Sequence, residues 1–193
     1  MRPINDITAV LDSCVLYPAP LRDFLMHLAL LDLFRARWTE EIHEEWIRNV
    51  LKSRPDLTIE QLTRTKELMN AHTRDSVVAG YENLSSSIVL PDAGDRHVLA
   101  AAIHAEAEFI VTFNLRDFPA TVLAPAGVEA IHPDAFLELL LERDAEKVLL
   151  AAERQRQSLK NPPKSPDEFY QTLEMQGLNE TVKILRLMFE EKK

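Results

Sequence analysis

The chain has 193 residues, 46% of them hydrophobic, so it can bury the core of one domain with or without a helical appendage. Its net charge of −9 argues against a protein that holds nucleic acid by broad electrostatic attraction, which depends on surplus lysine and arginine. The single cysteine excludes an intramolecular disulfide and a multi-cysteine zinc site, and the four scattered glycines exclude a phosphate-binding loop. A single cysteine suits a reducing compartment, so we expect a cytoplasmic protein, and since no apolar run approaches the roughly 20 residues of a membrane span, we expect no membrane contact.

The first half of the chain predicts one short buried strand followed by helices. Residues 7–11 are apolar and β-branched, which is typical of a strand buried on both faces. Further on, apolar residues recur at helical spacing, and Thr39 and Thr58 are suited to begin helices, Thr58 in a capping box with Gln61. These patterns predict helices over residues 21–35, 39–52 and 58–72, with a further helical stretch toward residue 83.

The second half predicts three more short strands that alternate with helices. Apolar, β-branched runs predict strands over residues 88–90, 109–113 and 128–131. Between the first two lies an alanine-rich helix over residues 92–106, and another helix begins near Pro133 and continues to residue 159. Strands that alternate with helices favour right-handed crossovers, so we expect an α/β fold with a parallel central sheet flanked by helices.

The last part of the chain predicts a helical extension. Residues 160–166 are rich in proline and predict a linker, and Ser165 with Glu168 forms a capping box for a helical tail. We therefore expect an α/β body over residues 1–135 and a C-terminal helical extension over residues 136–193, which contains the proline-rich linker.

Four acidic residues lie where such a fold can bring side chains together. Asp12 directly follows the first strand, and Asp117 comes shortly after the strand over residues 109–113. Glu45 and Asp95 lie on predicted helices, from which a carboxylate can reach the carboxyl ends of the strands, where ligands bind in such sheets. Crowded carboxylates repel one another unless cations bind, so magnesium or manganese is the natural neutraliser. Phosphodiester hydrolysis by two metals needs ligands of this kind.

Four segments resemble the motifs of the PIN-domain family, and the resemblance covers residues 7 to about 135. Each segment alone is weakly specific, but their order and spacing, with a strand before the first and the last, are quite specific. The segments are Ala9-Val-Leu-Asp12-Ser-Cys-Val-Leu16, Trp38-Thr-Glu-Glu-Ile-His-Glu-Glu45-Trp, Asp92-Ala-Gly-Asp95-Arg-His-Val-Leu-Ala-Ala-Ala102 and Ile110-Val-Thr-Phe-Asn114-Leu-Arg-Asp117-Phe-Pro119.

The resemblance implies a PIN-like three-layer α/β/α fold, with a metal site whose ligands and catalytic residues are Asp12, Glu45, Asp95 and Asp117. Ser13 would help to orient the ligands or a bound water, and Thr112 is the strand threonine of the last motif. Asp92 is either a supporting residue or an acid of the helix N-terminus. At the fourth position the family often has an aspartate where this sequence has Asn114, which leaves open whether Asn114, Asp117 or both face the metal.

PIN domains of this kind are ribonucleases, commonly the toxin of a bacterial toxin–antitoxin pair of the VapC type. The resemblance therefore implies a Mg²⁺- or Mn²⁺-dependent endoribonuclease, in which a water held by the metals attacks the phosphorus, with an antitoxin protein as partner. It also implies a homodimer, and residues 21–72 would be a reasonable place for the antitoxin to dock. Basic residues that could guide RNA are Arg48, Lys52, Arg54, Arg96 and Arg116.

Competing interpretations remain for parts of the pattern. A PIN-like fold whose altered fourth position has cost it activity would serve as a non-catalytic interaction module. A phosphotransfer domain built on Asp12 would need a second aspartate two residues on, where this sequence has Cys14. His97 and His104 are interpreted as packing or surface residues, since histidines seven apart on one helix are too distant to share a metal easily.

Overall fold

A parallel four-stranded sheet lies at the centre of the fold. The computed structural model describes residues 7–191, and its strands are β1 (Thr8–Leu11), β2 (Arg35–Arg37), β3 (Phe109–Val111) and β4 (Glu129–Ile131). Their order is β2-β1-β3-β4, and each neighbouring pair is parallel. Helices flank this sheet and form the C-terminal part, so the predicted α/β fold with a parallel sheet and a C-terminal helical region is confirmed.

Helices make up most of the remaining described chain. Within residues 7–191 they are α1 (Ser13–Leu16), α2 (Ala19–Leu30), α3 (Glu40–Ser53), α4 (Ile59–His72), α5 (Glu82–Ser85), α6 (Arg96–His104), α7 (Ala120–Leu123), α8 (Pro133–Ser158), α9 (Pro166–Glu174) and α10 (Asn179–Glu191). Short 3₁₀ turns cover Ala93–Asp95, Leu115–Asp117 and Ala124–Ala126. None of the described helices has both the length and the apolar character that crossing a membrane requires.

The helix that carries Glu45 begins and packs as its sequence predicts. The Thr39 hydroxyl accepts a 3.1 Å hydrogen bond from the N–H of Ile42 and so caps α3. Ile42 and Trp46 face the core, whereas Glu45 is only half-buried at the margin of this face. The predicted capping box of Thr58 and Gln61 likewise begins α4, so both predicted helices are confirmed.

A buried polar network fixes α3 against α4. The indole N–H of Trp38 donates to Oδ1 of Asn70 on α4 at 2.8 Å, and Nε2 of His43 lies 3.0 Å from the same oxygen. Trp46 donates its indole N–H to Nδ1 of His43 at 2.9 Å, so the proton of this ring is on Nε2. Burial lowers the pKa of His43 to about 4, which keeps the ring neutral and the network intact. This network helps to fix the position of α3, the helix that carries Glu45.

The predicted helix over residues 21–35 is wrong at its C-terminal end. α2 stops at Leu30, and Asp32 has a φ of 55°, a left-handed conformation that ends a helix. The two apolar residues after Asp32 are buried in the loop, so their spacing reflects contacts with the core and not a continued helix. Strand β2 follows, with the buried Ala36 paired to Ala9 of β1. Because arginines flank this alanine on both sides, the strand has no apolar pattern by which the sequence could predict it.

Two predictions for the segment between α4 and α6 are also wrong. Residues 88–90 form no strand, although Ile88 and Leu90 are buried and Val89 is 74% exposed. Buried and exposed side chains do alternate here, as in a strand. However, these residues lie in a loop that pairs with no strand of the sheet, and the two buried side chains reach the core from that loop. The predicted helical stretch toward residue 83 reduces to α5, because Val77 is held in an isolated parallel bridge with Trp38.

The C-terminal helices are joined to the α/β body through α8. This helix packs against α2 and α10, and it is kinked at Asp144, whose φ of −156° is not helical. The buried carboxylate of Asp134 accepts hydrogen bonds from the N–H groups of Glu180 and Thr181, both at 3.0 Å, and from the Thr181 hydroxyl at 2.6 Å. The expected boundary at residues 135/136 falls inside α8, and the expected linker over residues 160–166 reaches from just after α8 to the start of α9.

Candidate active site

The ends of β1 and β3 bring the first two polar residues of the site together. Leu11 of β1 pairs with Val111 of β3 in parallel. The residues that follow them, Asp12 and Thr112, therefore lie side by side. The Thr112 hydroxyl donates a 2.7 Å hydrogen bond to Oδ2 of Asp12. The sheet itself therefore positions Asp12 at its carboxyl edge, where ligands bind in parallel α/β folds.

Asp12 is a buried carboxylate, 3% exposed, that is held by neutral donors. Its Oδ1 accepts from the N–H of Ser13 at 2.6 Å, and Oδ2 accepts from the Cys14 thiol at 3.2 Å as well as from Thr112. Burial and the charge of Asp12 raise the pKa of Cys14 to about 12, so the thiol stays protonated and remains a donor. None of these three donors carries a charge. A buried carboxylate in this environment is a good site for a cation.

Asp95 lies in the electrostatic centre of the acidic cluster. Its pKa is raised to about 6, first by burial and then by the charges of Asp12, Asp92, Asp117 and Glu45, in that order. Charges from four segments of the chain thus act at Asp95. The acidic cluster, Asp95 with Asp12, Asp92, Asp117 and Glu45, is defined by these charges; among the described residues, no three of the four carboxylates that the sequence singled out have oxygens within 4.8 Å of one another.

Glu45 reaches the cluster from the side, through α3. Burial by itself raises its pKa, but the hydrogen bond and charge of His97, the Ser13 hydroxyl and the charge of Arg48 outweigh burial and lower it. Glu45 is therefore ionised next to the carboxylate of Asp95, which holds its proton more tightly than usual. The effect of Ser13 on this pKa places Glu45 near the segment that carries Asp12.

His97 contacts Glu45, so its interpretation as a packing or surface residue is incomplete. Its ring is 5% exposed on α6, with Nε2 3.1 Å from Oε1 of Glu45 and Nδ1 3.8 Å from Oε2 of Glu41. One ligand atom from each of these three residues lies within 4.8 Å of the other two. Burial lowers the pKa of His97, but the hydrogen bond to Glu45 and the surrounding acids raise it overall. His104, at the other end of α6, lies beside Gly80.

The residues after β3 differ in how they relate to the cluster. Asn114 is exposed, and its backbone N–H donates to the Thr112 hydroxyl at 2.9 Å. Asp117 lies on the 3₁₀ turn Leu115–Asp117 and is one of the charges that raise the pKa of Asp95. Asp92 caps the turn Ala93–Asp95 through a 2.7 Å hydrogen bond from the N–H of Gly94. Asp92 thus has a local structural role as well as an electrostatic effect on Asp95.

The predicted basic residues are not all equally close to the carboxylates. Arg48 lies one turn after Glu45 on α3 and acts on its pKa. Arg96 directly follows Asp95, and its buried Nε has no hydrogen-bond partner among the described residues. Arg116 is exposed on the turn that carries Asp117. Lys52 is exposed in the last turn of α3, and Arg54, just beyond that helix, pairs with Asp56 at 2.6 Å.

The donor set suits a hard divalent cation. Asp12, Asp95, Glu45 and Asp117 offer carboxylate oxygens, which Mg²⁺ and Mn²⁺ prefer. Burial first, and then the charges of four neighbouring carboxylates, disfavour the ionised form of Asp95 and raise its pKa. A cation would relieve this repulsion, so the residues fit such an ion.

Comparison with known proteins agrees with this fold. A family model described as PIN domain matches residues 8–116, and a model described as VapC50 C-terminal domain matches residues 133–187. The curated "Putative ribonuclease VapC50" of Mycobacterium tuberculosis (strain ATCC 25618 / H37Rv) is 50% identical over 58 residues, which are 29% of this chain and 34% of that relative. The aligned part therefore spans about a third of the relative's length, and no solved structure matches the chain. Since the PIN-domain match covers more than half of the 193 residues, the protein belongs to the PIN-domain family.

Proposed function

We propose that this protein is a metal-dependent endoribonuclease that acts as the toxin of a toxin–antitoxin pair. The observation that carries the proposal is the buried carboxylate of Asp12 at the end of β1, bonded to Thr112 at the end of β3; the charges of Asp12, Asp117 and Glu45 acting on Asp95 support it. Membership of the PIN-domain family and the name of the VapC50 relative support RNA as the substrate.

In this proposal the four carboxylates hold Mg²⁺ or Mn²⁺. Such an ion, when bound, activates water and neutralises charge on a phosphodiester. Asp12 is the central ligand, since it is buried at a strand end and its donors leave lone pairs on both oxygens. We place Asp117 rather than Asn114 at the fourth position, because Asp117 offers a carboxylate whose charge acts on the pKa of Asp95, whereas Asn114 offers a neutral amide.

The surrounding residues hold these ligands in place. Thr112 and the Cys14 thiol fix Oδ2 of Asp12, and the N–H of Ser13 fixes Oδ1. The Ser13 hydroxyl also helps to lower the pKa of Glu45, so Ser13 acts on two of the proposed ligands. Ligands held in this way need little rearrangement when a substrate binds, which favours catalysis.

Basic residues close to the carboxylates would bind the RNA backbone. Arg48 and Arg96 adjoin two of the proposed ligands, and Arg116 is exposed beside Asp117. The net charge of −9 repels RNA phosphates. A few arginines beside the site would offset this repulsion locally, where a phosphate must approach the carboxylates. Lys52 lies further along α3 and would contact RNA outside the site.

The proposal extends to partners and location. A cognate antitoxin would bind over residues 21–72, a homodimer is the expected assembly, and the reducing cytoplasm suits both an RNA substrate and the thiol of Cys14. The body over residues 1–135 would carry catalysis, and the extension over residues 136–193 would support it from the α2 side.

Cleavage of a labelled single-stranded RNA in the presence of Mn²⁺ tests the proposal. We expect cleavage by the wild type and loss of at least about 100-fold in rate for Asp12→Asn, since this ligand is central. Asp32→Asn is the matched control, because Asp32 is exposed and lies in a loop after α2. Absence of cleavage by a folded wild type with Mn²⁺ or Mg²⁺ would support the interaction module instead, and equal activity of Asp12→Asn would contradict the proposed site.

A further inference from the structure

His97 joins the two helices that lead to the acidic cluster. It is the second residue of α6, two positions after Asp95, and its Nε2 lies 3.1 Å from Oε1 of Glu45 on α3. The two residues are 52 apart in sequence. A buried ring, 5% exposed, therefore links the segment of one proposed ligand to the side chain of another.

Glu45 needs such a link more than the other carboxylates do. Asp12 is short, buried and held by three donors, whereas Glu45 has one more rotatable bond and a side chain that is 24% exposed. Holding a long carboxylate in one rotamer costs conformational entropy, which a hydrogen bond from a rigid donor offsets. The ring of His97 is rigid and buried, so it restricts Glu45 to orientations in which Oε1 meets Nε2.

The second ring nitrogen of His97, Nδ1, faces Glu41, which lies on α3 one turn before Glu45. Nδ1 lies 3.8 Å from Oε2 of Glu41, which is too long for a hydrogen bond, and it has no hydrogen-bond partner among residues 7–191. Glu41 is 54% exposed and also accepts from the Tyr81 hydroxyl at 3.4 Å. The ring thus lies between two glutamates one turn apart, while its direct hydrogen bond goes to Glu45 alone.

We propose that His97 is a positioning residue for Glu45: the hydrogen bond from Nε2 to Oε1 directs the remaining lone pairs of Glu45 into the acidic cluster. The proposal rests on the proposed function for its consequence in catalysis. The contact itself does not depend on that function. Residues that orient metal-binding carboxylates in this way change metal affinity by about 10- to 100-fold when they are removed.

Three substitutions of His97 distinguish the roles of its two ring nitrogens. His97→Gln places an amide N–H near the position of Nε2 and keeps a donor for Glu45. His97→Asn is shorter and places its amide near the position of Nδ1, on the side of Glu41. His97→Phe keeps a ring and removes both nitrogens. His104→Phe is the matched control, because it makes the same change at the far end of α6.

Mn²⁺ titration by calorimetry on the full-length variants is the decisive measurement, with thermal unfolding in the absence of metal to verify folding. We expect affinity to fall about 10- to 100-fold in His97→Phe and His97→Asn, to recover to within about threefold of wild type in His97→Gln, and to stay unchanged in His104→Phe. With an RNA substrate, kcat should fall and KM should stay close to that of the wild type. His97→Asn serves the same comparison if His97→Phe does not fold.

Two results would overturn the proposal. Unchanged Mn²⁺ affinity in folded His97→Phe or His97→Asn would mean that the ring only packs. Loss in His97→Gln equal to that in His97→Phe, together with an equal loss in Glu41→Gln, would mean that His97 binds the ion directly with Glu41 and Glu45.

A nuclear magnetic resonance measurement distinguishes failure of this proposal from failure of the proposed function. The Nε2 resonance of His97 should shift in Glu45→Gln and remain unchanged in Glu44→Gln, a substitution at the neighbouring exposed glutamate. If the Nε2 shift occurs while the wild type neither binds Mn²⁺ nor cleaves RNA, the contact stands and the proposed function fails. If Glu45→Gln leaves the Nε2 resonance unchanged, the positioning role fails whatever the activity.

Discussion

The Thr112 hydroxyl donates a 2.7 Å hydrogen bond to Oδ2 of Asp12, across 100 residues of sequence. The contact joins the ends of two neighbouring parallel strands, so it depends on the register of the sheet and not on a flexible loop. It also makes Asp12 sensitive to any change in how β1 and β3 pair. Thr112 and Asp12 are therefore the structural foundation of the acidic site.

Substitution of Thr112 by valine should weaken this foundation without changing the shape of the side chain. A hydrogen bond to a charged group contributes about 1.5–3 kcal/mol, and Thr112→Val removes the donor to a buried carboxylate. We expect the free energy of unfolding to fall by about 1–2 kcal/mol and Mn²⁺ affinity to fall about tenfold. Urea unfolding and calorimetry measure the two effects, with Thr121→Val, at an exposed position, as control. Wild-type values for both quantities in Thr112→Val would contradict the role given to this bond.

The raised pKa of Asp95 predicts how metal binding depends on pH. A proton and a cation compete for this carboxylate, whose pKa is about 6 in the absence of metal. We expect Mn²⁺ affinity to be greatest above pH 7 and to fall as the pH drops below 6. In Asp95→Asn the affinity should be low and its pH dependence through this range should flatten. An undiminished pH dependence in that variant would assign the competing proton to another residue.

The raised pKa of Asp95 also predicts that the stability of the metal-free protein falls as the pH rises, whereas metal affinity rises. Because the pKa of Asp95 is higher in the folded state than its ordinary value of 3.8, stability from this group is present below pH 3.8 and lost as the pH rises through 6. Asp95→Asn should therefore stabilise the metal-free protein at pH 7 and have little effect near pH 3.8. Because Asp95 is partly exposed to solvent, we expect a gain on the order of 1 kcal/mol. Urea unfolding of both proteins at the two pH values measures it, and a loss of stability at pH 7 would contradict the crowding of the carboxylates.

Much of the fold could be predicted because local signals agreed with the final packing. The capping residues of α3 and α4 and the apolar run of β1 each specify one conformation. Strand β2 could not be predicted, because a three-residue edge strand with two arginines has no apolar periodicity. The strand predicted over residues 88–90 was wrong for the converse reason. Their burial alternates as in a strand, but a local sequence cannot indicate whether a partner strand lies beside them.

The place of Asp12 at the carboxyl edge of the sheet could be predicted, because strand ends in a parallel sheet converge whatever the side chains. Asp12 and Thr112 meet for this reason alone. The contact of His97 with Glu45 could not be predicted, since it depends on how α6 and α3 rotate against each other across 52 residues of sequence. The one available signal was the place of a polar ring, two residues after Asp95, at the start of an otherwise apolar helix face.

The thiol of Cys14 should be unreactive in the folded protein. Burial and the adjacent Asp12 raise its pKa to about 12, so almost no thiolate forms at neutral pH. We expect alkylation by iodoacetamide at pH 7.5 to be slower than in the urea-unfolded protein by at least about 100-fold. Mass spectrometry over time gives both rates. Rapid modification of the folded chain would mean that the thiol does not donate to Asp12 as the structure shows.

The carboxylate of Asp134 should hold the last helix in place. It accepts three hydrogen bonds at the start of α10, and the loss of such a buried cap costs about 1–3 kcal/mol. Asp134→Ala should lower the free energy of unfolding by this amount and increase hydrogen exchange in α10 more than in α3. Glu142→Ala, at an exposed position on the same helix, is the control. Equal protection of α10 in Asp134→Ala and wild type would show that apolar packing alone fixes the helix.

The most direct test of the account is calorimetric titration of Mn²⁺ into the metal-free wild type and into Asp12→Asn, Asp95→Asn and Asp32→Asn. If the distant carboxylates share a cation, the wild type and Asp32→Asn bind Mn²⁺ alike, and each of the other two variants loses at least about tenfold in affinity. Equal affinity in all four proteins, with each one folded, would contradict a shared metal site at the ends of β1 and β3.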